Sequence, residues 1–291
     1  MKKVYWIVLG IAMAMLSIAT FADLHFANTL LNRESAFGHF FAVVAMAPTW
    51  TLIPISAGLM FGALIAQFKD MGKIWRVICS CLLVFGVYMA IQRTTGFYGS
   101  RHLHGLPFPY LIYIVITAFL LATVLGAYAS KKYPREVIIA ALVGIIAVAG
   151  GRMLLDLFKD VWGRQRFWTM TDMATQFTAW YAPQFPNAAR VKELGDTIKS
   201  FPSGHSFGSM SVLWLSMFPA FIEFCQEKRK AWSNGIAIFA LCFWAPVMLS
   251  RMVLGEHFLS DVSMSAIIFL VAFIFANWII DKIYPNTPAR S

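Results

Sequence analysis

Charge is scarce in this chain, and acidic charge scarcest of all. Of 291 residues, 13% are charged, with 14 Asp or Glu against 24 Lys or Arg. A soluble globular domain carries roughly a quarter of its residues charged, so that class is excluded. Cysteine is equally sparse. Cys79, Cys81, Cys225 and Cys242 fall in or at the end of apolar runs, at spacings that fit neither a disulfide framework nor a zinc site, and are expected as buried free thiols. No Asn-x-Ser/Thr acceptor occurs. The basic excess, a formal net charge of +10, lies in short clusters between apolar runs rather than on one face, which argues against a nucleic-acid partner.

What the chain has in abundance is apolar sequence. Hydrophobic residues make up 59% of it, and 26 of them are Phe. The expected fold is all-α, a polytopic transmembrane helix bundle forming a single membrane domain over residues 1–291. A window of roughly 19 residues, enough to cross about 30 Å of hydrocarbon as a helix, places about eight spans. They lie near residues 4–22, 51–67, 74–91, 110–129, 137–157, 205–224, 234–250 and 259–281. The first follows Met1-Lys2-Lys3, but Thr20-Phe21-Ala22 is a poor cleavage site, so an uncleaved anchor is expected. The shorter run 39–50 ends near Pro48 and reads as interfacial or as an extension of the second span.

Positive charge sets the orientation. With the amino terminus inside, inside segments collect Lys2 and Lys3, then Lys69, Lys73 and Arg76, then Lys131, Lys132 and Arg135, then Lys228, Arg229 and Lys230. The outside segment 158–204 breaks that bias with Lys159, Arg164, Arg166, Arg190, Lys192 and Lys199. Such a violation needs a reason of its own.

Within and beyond that segment stand three polar stretches. In Lys199-Ser200-Phe201-Pro202-Ser203-Gly204-His205, a turn feeds the next span and offers unpaired N–H groups to an anion. The plainer reading makes Ser203 an ordinary N-cap. Lys159 and Arg166 are seven apart and, on a continuing helix, project from one face; a solvated pair is the bland alternative. His257 and Asp261 are four apart, so a helix starting there lets the carboxylate bond the imidazole, fix its tautomer and raise its basicity. Glu256 is expected to point elsewhere, into solvent. Arg152 and Asp156 are expected to pair, and His102 and His104, lacking a third ligand, to be surface residues rather than a metal site. The aromatic run 167–185 reads as a lid or an anchor at the outer leaflet.

Taken in order, Lys159 and Arg166, then Pro202-Ser203-Gly204-His205, then Ser250-Arg251 with His257 and Asp261, resemble the three-part signature of the type 2 phosphatidic acid phosphatase superfamily. The resemblance covers residues 150–281. Phe167 stands where that family usually has proline. The resemblance implies a six-helix phosphatase core preceded by extra spans, working without metal or other cofactor. It implies His257 as the nucleophile that becomes a phosphohistidine, Asp261 as its orienting carboxylate, and His205 as the acid and then the base. Lys159, Arg166, Ser203, Gly204 and Arg251 would bind the phosphate. The partners expected are membrane lipids and a lipid phosphate substrate: undecaprenyl diphosphate, phosphatidylglycerophosphate or phosphatidate. The site would face outward from a bacterial cytoplasmic membrane. A lipid phosphotransferase using the same residues, or a non-enzymatic transporter or scaffold, are the alternative readings.

Overall fold

The computed structural model describes residues 2–67 and 108–283. The expected span at 74–91, His102, His104, Cys79 and Cys81 lie outside the described residues. Their regular structure is helical, with α1 at Lys2–Leu30, α2 at Ala36–Val44, α3 at Met46–Ala66 and α4 at Phe108–Ala129. Then come α5 (Pro134–Gly144), a wider π turn at Ile145–Gly150, α6 (Gly151–Trp162), α7 (Met173–Gln176), α8 (Ala188–Leu194), α9 (Gly204–Ser211), α10 (Arg229–Val253) and α11 (Leu259–Ile283).

Five stretches among the described residues are long and apolar enough to cross a membrane: Val4–Leu30, Ala36–Ala66, Pro134–Thr169, Glu223–Val253 and Leu259–Ile283. They mark a multi-pass membrane protein. The shorter apolar helix Tyr113–Ala129 covers most of a further expected span. About eight spans are therefore not found among the described residues. The clearest departure is 205–224, where α9 ends after eight residues and the chain winds on as a tighter 3₁₀ segment over Val212–Ala220. Its composition explains this. Pro219 has no N–H to give, and the Ser209 and Ser211 hydroxyls bond back to the Ser206 and Phe207 carbonyls at 3.0 and 2.7 Å. The run 39–50 is the extension of its neighbour, α2 passing into α3 through Ala45.

The chain divides into two compact units. The first comprises Met1–Thr49, Ala149–Leu213 and Ile238–Ile274. Its core includes a cluster of Ala19, Met252, Leu259 and Val262, and a second of Ala27, Phe167, Met170 and Phe258. Apolar burial of this kind contributes about 25 cal/mol per Å² removed from water. Phe167, at the position where proline was the family expectation, is buried with its ring edge-on to Phe258, 5.9 Å between centroids. The aromatic run holds to α1 as well, through Trp180 Nε1 donating to Thr20 Oγ1 at 3.1 Å.

The second unit comprises Trp50–Val148, Trp214–Ala237 and Phe275–Ser291. Here α3 and α4 meet through small residues. A Cβ on Gly62 would stand 2.1 Å from the Thr123 carbonyl oxygen, so only glycine permits the two backbones to touch. Trp214 Nε1 donates to the Ala140 carbonyl at 2.8 Å. Of the two described cysteines, both free, Cys225 is buried but Cys242 is exposed, contrary to expectation, because it lies on the outward stripe of α10.

Candidate active site

All the polar stretches singled out in the sequence belong to the first unit, and three loops position them. Helix α6 carries the expected Arg152–Asp156 ion pair at 3.0 Å and Lys159 one turn further on. It ends at Trp162, with Gly163 left-handed at φ 56°, so Arg166 does not share a helix face with Lys159. Arg166 instead sits in extended backbone, its N–H donating to the Thr197 carbonyl at 2.7 Å. Lys159 reaches the same region differently, its Nζ donating to the Lys199 carbonyl at 2.7 Å. A cleft of about 260 Å³, lined by Lys159, Asp160, Pro186, Val191, Ile198 and Lys199, opens beside it.

The second stretch docks on α11. The Ser203 N–H donates to the Asp261 carbonyl at 3.1 Å, and Ser265 Oγ donates to the Ser203 carbonyl at 2.7 Å. The Ser203 hydroxyl accepts from the Ser206 N–H at 3.4 Å, which is the N-cap role. Gly204 and His205 open α9, both half-buried, and Arg152 Nη1 lies 3.4 Å from where a Cβ on Gly204 would stand.

The third stretch is a turn between α10 and α11. Gly255 takes φ 65°, and a Cβ there would stand 2.7 Å from Leu31 Cδ1, so the reversal needs glycine. The N–H groups of Glu256 and His257 both donate to the Arg251 carbonyl, at 3.0 and 3.2 Å. Helix α11 starts only at Leu259, so His257 and Asp261 meet across a turn rather than along a helix face. His257 Nδ1 lies 3.5 Å from Asp261 Oδ2, an ion-pair distance, and has no formed hydrogen bond among the described residues. Its Nε2 faces Arg166 Nη1 at 3.4 Å. The tautomer that suits both neighbours keeps the proton on Nδ1 and a lone pair on Nε2.

Asp261 raises the basicity of His257, as its spacing led one to expect, but the net balance runs the other way. Burial comes first among the causes, Arg166 and Lys159 add to it, and Asp261 opposes it. The result is a pKa pushed down to about 3. The ring is held neutral, and Nε2 keeps its lone pair for bonding.

Several residues that carry this geometry were missed. Glu256 is no solvated neighbour. Because 254–258 is a turn, its carboxylate faces three arginines: Arg166 at 2.7 Å, Arg33 at 3.5 Å and Arg251 at 3.7 Å. Asp196 grips Arg166 from its other side, 2.9 Å from Nη2. Arg164 is completely enclosed, donating through Nη1 to Asp261 Oδ1 and Ser260 Oγ at 2.6 Å each, and through Nη2 to Asp23 Oδ2 at 2.9 Å. It lies over the Phe258 ring at 4.1 Å. Asp23 comes from α1 and also accepts from the Ser260 N–H at 2.9 Å and from the Ser260 hydroxyl. Ser200 Oγ completes the shell around Asp261, donating to Oδ2 at 2.5 Å. Asp23 had a legible signal, being the one acidic residue in the first 33 and lying at the end of an apolar run, where charge demands a partner. Glu256 had none, since its role depends on the turn.

Among the described residues the protein is a helical membrane protein with a buried imidazole, His257, between a carboxylate and an arginine. Residues 141–285 match the PAP2 superfamily, and the chain carries a PAP2 superfamily domain there. Members of that superfamily are generally metal-independent phosphatases acting on phosphate esters, often of lipids. No curated protein and no solved structure matches the chain.

Proposed function

We propose that the protein is a lipid phosphatase that hydrolyses a lipid phosphate or diphosphate ester through a phosphohistidine, with undecaprenyl diphosphate, phosphatidylglycerophosphate or phosphatidate as substrate. The observation that carries this reading is His257, buried, with Nε2 3.4 Å from Arg166 Nη1 and Nδ1 3.5 Å from Asp261 Oδ2.

In the first step the Nε2 lone pair attacks phosphorus. The bond from phosphorus to the leaving oxygen breaks, and its electron pair goes with that oxygen, which takes a proton from His205. The imidazole now bears positive charge, which Asp261 balances across Nδ1–H. Lys159, Arg166 and Arg251, with the Ser203 hydroxyl and the Gly204 N–H, hold the equatorial oxygens. In the second step His205 takes a proton from water, the oxygen attacks phosphorus, the P–N bond breaks and phosphate leaves. A site built at the ends of spans suits a substrate whose tails stay in the bilayer, and the basic segment 158–204 fits an outward-facing site on the cytoplasmic membrane of a bacterium.

The test is phosphate release from a panel of lipid phosphates in detergent, with no acceptor other than water. Turnover is expected in the native protein and its loss, by about 10²-fold or more, in both His257→Ala and His205→Ala. Near-native rates in His257→Ala would refute the nucleophile assignment. Phosphate release only when a second lipid is added would identify a phosphotransferase instead.

A further inference from the structure

Asp261 serves as the counter-charge to His257 in the proposed reaction, but Arg164 competes with the imidazole for it. Arg164 Nη1 lies 2.6 Å from Asp261 Oδ1, nearer than the imidazole at 3.5 Å from Oδ2, and neither the arginine nor the aspartate side chain is exposed at all. A guanidinium bound that tightly draws the carboxylate's charge toward itself and away from the imidazole on its other oxygen. Alone, Arg164 would leave Asp261 a poor partner for a ring that must become cationic during phosphoryl transfer.

Asp23 stands where that problem is corrected. Its Oδ2 lies 2.9 Å from Arg164 Nη2, its side chain is only 3% exposed, and Ser260 holds it by backbone N–H and hydroxyl together. The ionisable groups around this centre are Asp23 from α1, Arg164 and Arg166 from the loop after α6, Lys159 from α6, and His257 and Asp261 around the start of α11. One guanidinium is thus shared between two carboxylates. We propose that Asp23, contributed by the first transmembrane helix, is a positioning residue for the phosphatase reaction: it takes up the charge of Arg164 so that Asp261 keeps its own for His257.

The consequence for the reaction is specific. Asp23 touches neither substrate nor His257, so its removal leaves phosphate binding intact. What it affects is the step that puts positive charge on the imidazole, formation of the P–N bond. First-helix sequence therefore belongs to the catalytic apparatus, although it lies outside the matched residues 141–285. This inference rests on the nucleophile assignment for His257 and Asp261, and the experiment separates the two.

The experiment measures kcat and KM for phosphate release by the full-length protein in detergent, for native, Asp23→Asn, Asp23→Glu and the double variant Asp23→Asn/Arg164→Gln, with His257→Ala alongside. Asp23→Asn is expected to lower kcat roughly tenfold or more while KM moves less than about twofold. Asp23→Glu, which restores the charge, is expected to recover most of the loss. The double variant is expected to turn over faster than Asp23→Asn, because removing Arg164 removes the need for its counter-charge. A role confined to packing predicts the reverse, a double variant no better than the single. Near-native kcat in Asp23→Asn, or a loss confined to KM, overturns the inference. Should Asp23→Asn not fold, the double variant decides alone: folded with kcat within about tenfold of native supports it, and folded but inert overturns it. Native activity in His257→Ala would instead sink the underlying assignment.

Discussion

Glu256 Oε2 lies 2.7 Å from Arg166 Nη1, so a carboxylate of the protein rests on one of the cations proposed to receive the substrate's phosphate. The same carboxylate is within 3.7 Å of Arg251, and the two arginines belong to different stretches of the sequence. Two like-charged groups brought together at one site repel unless an anion lies between them. Glu256 supplies that anion and keeps the arginines together, so under the proposed function it competes with the substrate's phosphate for them.

Replacing Glu256 with Gln should therefore tighten the site for anions. Inorganic phosphate or vanadate is expected to inhibit Glu256→Gln at roughly threefold lower concentration or less than the native protein, with KM for lipid substrate falling in parallel. The measurement is a competitive inhibition constant for each protein. Weaker inhibition of the variant would mean that the carboxylate chiefly orders the arginines.

Burial of His257 should leave a mark on stability against pH. Its pKa is about 3 in the folded protein against 6.5 for the free side chain, so below pH 6.5 the unfolded state binds a proton that the folded state does not. Stability rises with pH in that window, and falls by about 1.4 kcal/mol for each unit of acidification from 6.5 toward 3. Thermal unfolding in detergent at a series of pH values should show a shallower slope for His257→Gln than for the native chain. Equal slopes would place an already protonated imidazole in the folded state.

The turn that presents His257 should tolerate no side chain at Gly255. Its φ of 65° opposes alanine, and so does Leu31 Cδ1, only 2.7 Å from the position an added methyl group would take; the strain costs about 1–3 kcal/mol. Gly255→Ala is expected to lower the unfolding temperature and to reduce activity further than the stability loss explains, because Glu256 and His257 move with the turn. Unfolding midpoints and kcat on the same preparations check this.

How much of this was readable in advance depended on what each residue's role required. The three polar stretches were legible because their spacing survives in the chain, and the Arg152–Asp156 pair followed from helical periodicity alone. Where periodicity was extended past its limit, the pairing of His257 with Asp261 held but the continuous helices expected to carry the residues did not. Gly163 stops the helix before Arg166, and α11 starts after His257, so neither pair shares a helix face and loops that no period describes place Arg166 and His257. Glu256 was misjudged for the same reason. Arg164 and Asp23 lie 141 residues apart, and no local rule joins two residues at that separation. The span at 205–224 is only partly α-helical, because hydropathy measures apolarity and is blind to Pro219 and to serines that bond their own backbone.

The link from Trp180 Nε1 to Thr20 Oγ1 gives the protein a native optical reporter. Indole emission depends on the polarity and hydrogen bonding around the ring, so Trp180, one of the 10 tryptophans of the chain, has its signal tied to that helix through its bond to α1. Loosening the amino-terminal helix, by detergent or by substitution at Thr20, would thus register as a change in tryptophan fluorescence before any enzymatic assay is run.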